Sequence, residues 1–210
     1  MRILVIGAGG HGQVVADILG SRIRIGEPLQ VVGYLDDDAR LHGEARVGGR
    51  VLGPLEAHRS IPHDALVVAV GDNARRRQLF QTFAAEGERF VAATHASTIV
   101  GEDVEIGHGA MVAAGVILNP GVRVGQNVIL NTACSIDHHC VIGDHAHVAP
   151  GVRLGGQVIV GDMTLVGIGA VVLPGIRIGE RTIVGGGAVV IDDVPDGVTV
   201  VGNPARVMRG

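Results

Sequence analysis

Four of the chain's ten histidines fall within residues 135–147, SIDHHCVIGDHAH, together with one of its two cysteines. Imidazoles at this density can ligate a metal, carry protons in catalysis, or sit hydrated on a surface. A zinc site needs three donors about 2 Å from one point. The intervals among His138, His139, His145 and His147 are one, two, six, seven, eight and nine residues. Which of these side chains can meet depends on the secondary structure that carries them.

The surrounding sequence repeats every six residues. From Val100 to Val190 an aliphatic residue returns in each hexad, and four places after it comes a second small or branched residue, as at Val128, Cys134, Cys140 and Ala146. Glycine often follows the first position, as at Gly107, Gly125, Gly143, Gly161 and Gly179. This is the signature of a parallel β-helix with one short strand per hexad and three hexads per triangular coil. Residues 18 apart then stack on adjacent coils at about 4.8 Å, the strand spacing.

That table of neighbours sorts the cluster. Cys134 and Cys140 take inward positions and read as core. His145 sits on a corner whose other members suggest a solvated histidine, and His139 is left open between surface and site. The outward sixth positions of one face are Met111, Ile129, His147, Leu165 and Ile183. An apolar outward column predicts a buried subunit contact, and His147, interrupting it, requires a partner or a ligand. His138 stacks one coil below Gly156, where the absence of a side chain lets a substrate approach the backbone. A histidine beside an exposed N–H suits acyl transfer: the imidazole takes a proton from the nucleophile and the N–H stabilises the oxyanion.

Residues 1–92 follow a different rule. RILVIG, QVVGYL and ALVVAV read as strands, and GQVVADIL and NARRRQLFQTFAAEG as helices, giving a small parallel α/β sheet. GAGGHG spells G-x-G-x-x-G at Gly7, Gly9 and Gly12, with Asp36 and Asp37 beyond the next strand. This approaches the dinucleotide fingerprint, so a nicotinamide-dependent dehydrogenase is a rival reading, as is a tight turn with no ligand. The unit is half the size of a full dinucleotide fold, and nothing after it reads as a dehydrogenase domain. A mononucleotide-binding half is the better size. We divide the chain into a Rossmann-like domain at 1–92 and a β-helix domain with a capping tail at 93–210.

Composition agrees. The 34 glycines, with three Phe, one Tyr and no Trp, suit stacked aliphatics with glycine corners. A net charge of −4 without basic runs gives no attraction for nucleic acid or anionic membrane. The apolar runs are too short to span a bilayer, and two cysteines without framework spacing fit a reducing cytoplasm.

The chain resembles the NeuD/PglD-type sugar acetyltransferases, bacterial enzymes that use acetyl-CoA to acetylate nucleotide-linked amino sugars or sialic acids. The matching stretches are GAGGHG, YLDDD, VGDN, LNTACSIDHHCVIGDHAHVAPG and VGNPARVM, which span nearly the whole chain. The resemblance implies a left-handed β-helix, a homotrimer and no metal or NAD. It implies His138 as general base, His147 near the thioester, Gly156 facing the tetrahedral intermediate and Asn131 near the sugar. Gly10, His11 and Gly12 would lie along the phosphates or base of a nucleotide sugar, with Asp36 and Asp37 accepting from its base or ribose. Coenzyme A would run between subunits past Ile168 and Gly186, with Arg206 or Arg209 near a phosphate. Known members carry Glu or Asp directly after the base. Here His139 stands there, so either His139 orients the imidazole, or an acid such as Asp137 does, or the rate is lower. Hexapeptide proteins that do bind zinc, the γ-type carbonic anhydrases, use a His–x4–His pair, an interval absent from this cluster. The expected activity is N-acetylation of a nucleotide-linked amino sugar by direct attack of the amine, for bacterial surface glycans. The alternatives are a sugar O-acetyltransferase and a non-catalytic nucleotide-sugar-binding subunit.

Overall fold

The computed structural model describes residues 1–208; Arg209, expected near a phosphate, lies outside them. The N-terminal unit contains β1 (Arg2–Ile6), α1 (Gly10–Arg24), β2 (Gln30–Leu35), β3 (Ala45–Arg46), β4 (Gly49–Gly53), β5 (Ala65–Val68) and α2 (Asn73–Ala85). The sheet order is β3-β4-β2-β1-β5, with parallel pairings except for the β3–β4 hairpin. The hairpin, turned at Gly48 in a left-handed conformation (φ +74°), was not among the elements read from the sequence. One side of the sheet packs Ile3 and Val5 on Val15, Ile18 and Leu19 of α1. The other packs Leu4, Ile6, Leu66 and Val68 on Leu79, Phe80 and Phe83 of α2.

From Ala93 the chain winds into a prism of two-residue parallel strands. Face I carries Ala93–Thr94, Met111–Val112, Ile129–Leu130, His147–Val148, Leu165–Val166 and Ile183–Val184; face II follows each of these by one hexad and face III by two. Neighbouring strands pair residues 18 apart, as Ile129 with His147 on face I and Ser135 with Arg153 on face II. The last coil is shorter: Ile183 pairs with Thr199 and Ile178 bridges Val194. The interior is the stack of aliphatic first and fifth positions, including Cys134 and Cys140. Val100, an inward position of the first coil, is 47% exposed because no coil lies beneath it. Thr199–Val201 and the antiparallel Arg206–Val207 close the other end, as a solenoid requires.

Corners turn at the fourth position of the hexad. Asp103, Asn127, Ala133, His139, His145, Gln157, Met163 and Arg181 all have φ between +51° and +62°, and glycine takes the same position at 109, 115, 121, 151, 169, 175 and 187. A left-handed residue costs about 1–2 kcal/mol in a non-glycine residue, so the stacked core must hold these turns.

The apolar outward column does not await another subunit along its lower half. Met111 and Ile129 are each 1% exposed, packed with Ala113 into the same cluster as Val15, Ile18 and Leu19 of α1. The chain's own α/β unit covers them. An apolar column needs a cover, and the period alone does not say whose. Leu165 is half-buried and Ile183 is 44% exposed above that cover. Ile129→Ala should therefore lower protomer stability by about 2–4 kcal/mol, the cost of a large-to-small core change, in urea unfolding. Its oligomeric state in sedimentation should stay unchanged; dissociation without destabilisation would return the column to a subunit contact.

Candidate active site

The three fingerprint glycines do three different things. Gly7 has φ +104°, and a Cβ there would press on the Ala69 carbonyl. A Cβ on Gly12 would collide with the Gly7 carbonyl, so this glycine lets α1 seat against the strand end. Gly9 and Gly10 face open space. Gly9 is the N-cap of α1 without a side-chain cap, and no acid occupies the first turn. Bare N–H groups at a helix N-terminus favour anions such as phosphate. Asp36 is committed to holding this loop: its carboxylate accepts from the Ala8 N–H at 2.8 Å and the Asp38 N–H at 3.0 Å. Asp37 accepts from the Leu55 N–H at 3.0 Å. Both acids line a small cleft with Gly7, Val70 and Arg75, at the carboxyl ends of β1 and β5 where the strand order switches direction. Open α/β sheets bind ligands at that point.

On the edge between faces II and III, His138 and His139 are exposed and splayed, with ring centroids 5.3 Å apart and planes at 77°. Each ring lies over a glycine one coil away. A Cβ on Gly156 would sit 2.6 Å from Cε1 and Nε2 of His138, and one on Gly121 would sit 2.9 Å from Cδ2 of His139. Gly156 is thereby buried under the imidazole, whereas the sequence suggested an exposed N–H. The two Nδ1 atoms are 3.1 Å apart. With His138 Nδ1–H donating to His139, His138 Nε2 is left to accept a proton. Asp137 acts on the backbone instead: its Oδ1 accepts from the His138 N–H at 2.7 Å and from Asn119 Nδ2 at 2.8 Å. These bonds, the backbone one first, hold its carboxyl below the usual range.

A second group forms where the α/β unit meets face I. His147 Nε2 lies 3.2 Å from Asn131 Nδ2, which donates to it. Burial lowers His147 to about 4, aided by the charges of Arg76 and His11, while a hydrogen bond to the Gly71 backbone opposes the shift. His11 is likewise lowered to about 4, by burial first and then by Arg76. Its Nε2 is buried without a partner. The His11 ring thus belongs to this seam beside His147, beyond the phosphate loop proposed for it. Above His147 opens a groove of about 290 Å³ between Gly71–Ala74 and Met163, Leu165 and Ile183. Ile168 (67% exposed) and Gly186 stack on the I–II edge that also carries Asn131, with room for a Cβ at Gly186 only 3.3 Å from the Ile168 carbonyl. Arg206 is exposed on the cap, 4.0 Å from Asp192.

Within one chain these groups stay apart. His138 and Gly156 occupy the II–III edge; Asn131, Ile168 and Gly186 occupy the I–II edge, with His147 beside them on face I. His145 is 6% exposed: its Nδ1 accepts from Asn127 Nδ2 at 2.9 Å and its ring meets Phe80 edge-on at 5.6 Å. The solvated reading is corrected, because α2 lies over that corner. Arg76 and Asn73 were missed. They carry the seam, and within the run ARRRQ nothing separates a buried arginine from its solvated neighbours. Among the described residues, no three His, Cys, Asp or Glu side chains gather as a metal site, and no helix is long and apolar enough to cross a membrane.

A mononucleotide-sized α/β unit on a left-handed hexapeptide prism, with a histidine laid over a glycine at an edge, defines a hexapeptide-repeat acyltransferase. The family model described as PglD N-terminal domain matches residues 2–83, the GlmU-like C-terminal hexapeptide model 65–154, and bacterial transferase hexapeptide (six repeats) 157–192. GDP-perosamine N-acetyltransferase of Escherichia coli is 30% identical over 214 residues, covering 98% of this chain and 95% of that one. The solved acetyltransferase domain of PglB from Neisseria gonorrhoeae superposes with a TM-score of 0.90 at 34% identity, covering 99% of each chain. PerB from Caulobacter crescentus, solved with CoA and GDP-perosamine, gives 0.90 at 36% identity, covering 100% of this chain and 98% of that one. The chain belongs to the NeuD/PglD family of sugar acetyltransferases. It is an acetyltransferase with acetyl-CoA as donor, which sets aside the dehydrogenase and carbonic-anhydrase readings.

The Gly156 site yields a direct test. Gly156→Ala puts a methyl where Cε1 and Nε2 of His138 now lie, so the ring must swing aside while the strands remain. Turnover should fall about 100-fold, the scale of an ångström-sized misplacement, with the melting temperature little changed. Wild-type turnover would mean that His138 does not work from the position it occupies.

Proposed function

We propose that the protein transfers acetyl from acetyl-CoA to the amino group of a nucleotide-linked amino sugar, with His138 as general base. The observation that carries this reading is the His138 imidazole over Gly156, with Nδ1 engaged by His139. His139 takes the orienting place that Glu or Asp holds in relatives: a neutral acceptor at Nδ1 fixes the ring and leaves Nε2 toward the incoming amine. The amine attacks the thioester carbonyl as Nε2 removes its proton. Charge gathers on the carbonyl oxygen of the tetrahedral intermediate, whose collapse expels the coenzyme A thiolate. A positioned base contributes about 10²–10⁴-fold.

The nucleotide lies on the open Gly9–Gly10 turn and the start of α1, with Asp37 at its base or ribose and His11 and Asn131 toward the sugar. Acetyl-CoA follows the I–II edge past Ile168 and Gly186, its thioester at His147 and its outer end toward Arg206. Because base and donor groups stand on different edges, a homotrimer brings the II–III edge of one protomer to the I–II edge of the next. The names of the full-length relatives favour a GDP-linked sugar, and the UDP-N-acetylbacillosamine N-acetyltransferase of Bacillus subtilis, 34% identical over 53% of this chain and 51% of that one, keeps UDP in view. We place the enzyme in a bacterial cytoplasm, supplying surface glycan synthesis.

The test is release of free thiol from acetyl-CoA with GDP-, UDP- and dTDP-linked 4-amino sugars beside a hydroxyl-bearing control. Turnover is expected with one amino sugar and not with the control. His138→Ala should cut its kcat by about 10²–10⁴-fold with a far smaller change in KM. Turnover of the control alone would make it an O-acetyltransferase. Coenzyme A binding that fails altogether would leave only a nucleotide-sugar-binding subunit.

A further inference from the structure

Arg76, in the second turn of α2, is wholly buried between the two units. All of its donors are used, and every acceptor is neutral. Nε donates to the Asn127 carbonyl at 3.0 Å; Nη1 donates to the carbonyls of Val70 at 3.2 Å and Gly71 at 3.1 Å. Nη2 donates to Asn73 Oδ1 at 2.8 Å and to the carbonyls of His145 at 2.7 Å and Ala146 at 3.3 Å. Among the described residues no carboxylate pairs with it. A buried cation without a counter-ion is expensive, and a well-packed apolar side chain of similar volume is often the more stable choice. The charge therefore calls for a use beyond packing.

Three imidazoles lie within its field: His147 on face I, His11 on α1 and His145 at the III–I edge. His147 Nε2 accepts from the Asn131 amide, which only a ring unprotonated at Nε2 can do. A proton there would break the bond and leave the Asn131 amide held only at its oxygen, which accepts from the Thr132 N–H at 2.8 Å. Gly71, whose carbonyl Arg76 holds, forms the wall opposite His147 in the groove.

We infer that Arg76 is a positioning residue for acetyl transfer: it locks the Val70–Asn73 loop to the carbonyl edge of the prism, and its charge adds to burial in keeping His147 as the acceptor that orients the Asn131 amide. The inference rests on the reading that Asn131 and His147 line the substrates. It adds a reason for an unpaired guanidinium at the seam. Burial brings Arg76 down to about 10, with Asp72 opposing, so it remains a cation throughout neutral pH. A like charge within reach disfavours the protonated imidazole. The other charged groups facing His147 are His11 from α1, Asp72 from the start of α2 and Arg181 from the III–I edge. Of these, only Asp72 would favour protonation, and its carboxylate is turned to the Arg75 N–H as the helix cap.

The experiment is a titration of the His147 ring by NMR in the full-length protein, its signal assigned by its loss in His147→Gln. Wild type should titrate well below the ordinary 6.5, near 4. Arg76→Gln, which keeps several hydrogen bonds and removes the charge, should raise the midpoint by one pH unit or more. Arg76→Lys should hold it down. An unmoved midpoint would make Arg76 a purely structural tie and overturn the proposal. A wild-type midpoint near 6.5 would overturn it without any variant, which covers the case of Arg76→Gln failing to fold. The ring titration needs no substrate, so it stands apart from failure of the acceptor panel.

Discussion

Everything in the second half of this molecule depends on the 18-residue coil. With three hexads per turn, a side chain's neighbours are fixed by addition, and a corner must be turned within four residues. The fourth residue does so in the left-handed region, whether or not it is glycine. One consequence reaches beyond the prism. At the III–I edge the carbonyls of Asn127, His145 and Met163 find no backbone N–H within the coil. Buried and unsatisfied, each would cost about 1–3 kcal/mol. The first turns of α2 supply the donors: Arg76 to Asn127 and His145, and Asn73 Nδ2 to Met163 at 2.9 Å. The join between the two units is thus a reading of the coil's own period by one helix.

That join decides the meaning of face I. An outward apolar column can be covered by a second copy or by the chain's own preceding domain, and hydrophobicity does not distinguish them. Here α1 and α2 descend on the first three coils, bury Met111 and Ile129, and leave Leu165 and Ile183 as the wall of the groove above His147. The same placement explains the histidine that the hexad pattern read as solvated and the pair that meets across the seam. His145 is buried because Phe80 arrives over it. His11 and His147, about 136 residues apart in sequence, share one seam.

The repeat made much of the site legible. Adding or subtracting 18 puts a glycine beside each of the paired histidines, Gly156 for His138 and Gly121 for His139, and that arithmetic is what the rings obey. The fingerprint was legible as a turn between strand and helix, but its glycines were not told apart: Gly12, read as lying along the nucleotide, packs against the Gly7 carbonyl. Arg76 was illegible for the opposite reason. Its burial is set by carbonyls of Val70, Asn127 and His145, which come together only in the folded chain, and three consecutive arginines carry no mark of which one faces inward. Asp36 illustrates an intermediate case: an acid beyond the second strand suggested a ligand contact, yet its oxygens first serve the Ala8 and Asp38 amides. A loop that must bind a ligand has first to hold itself.

The prism also constrains how a two-substrate reaction can be built. Edges of one triangular coil diverge, so His138 on the II–III edge and Asn131, Ile168 and Gly186 on the I–II edge cannot face one another within a protomer. Two edges from different copies can. Each protomer then gives one edge and receives another, a head-to-tail contact that must close by rotation or run on as a filament. The trimer we propose is such a closed ring. On that reading Arg76 has its place in the logic of the assembly: the acceptor's nucleotide is held by the α/β unit and its amine must reach a neighbour's base, so the angle between unit and prism sets the reach. A rigid, fully satisfied guanidinium at that seam fixes the angle where a set of apolar contacts alone would let it drift.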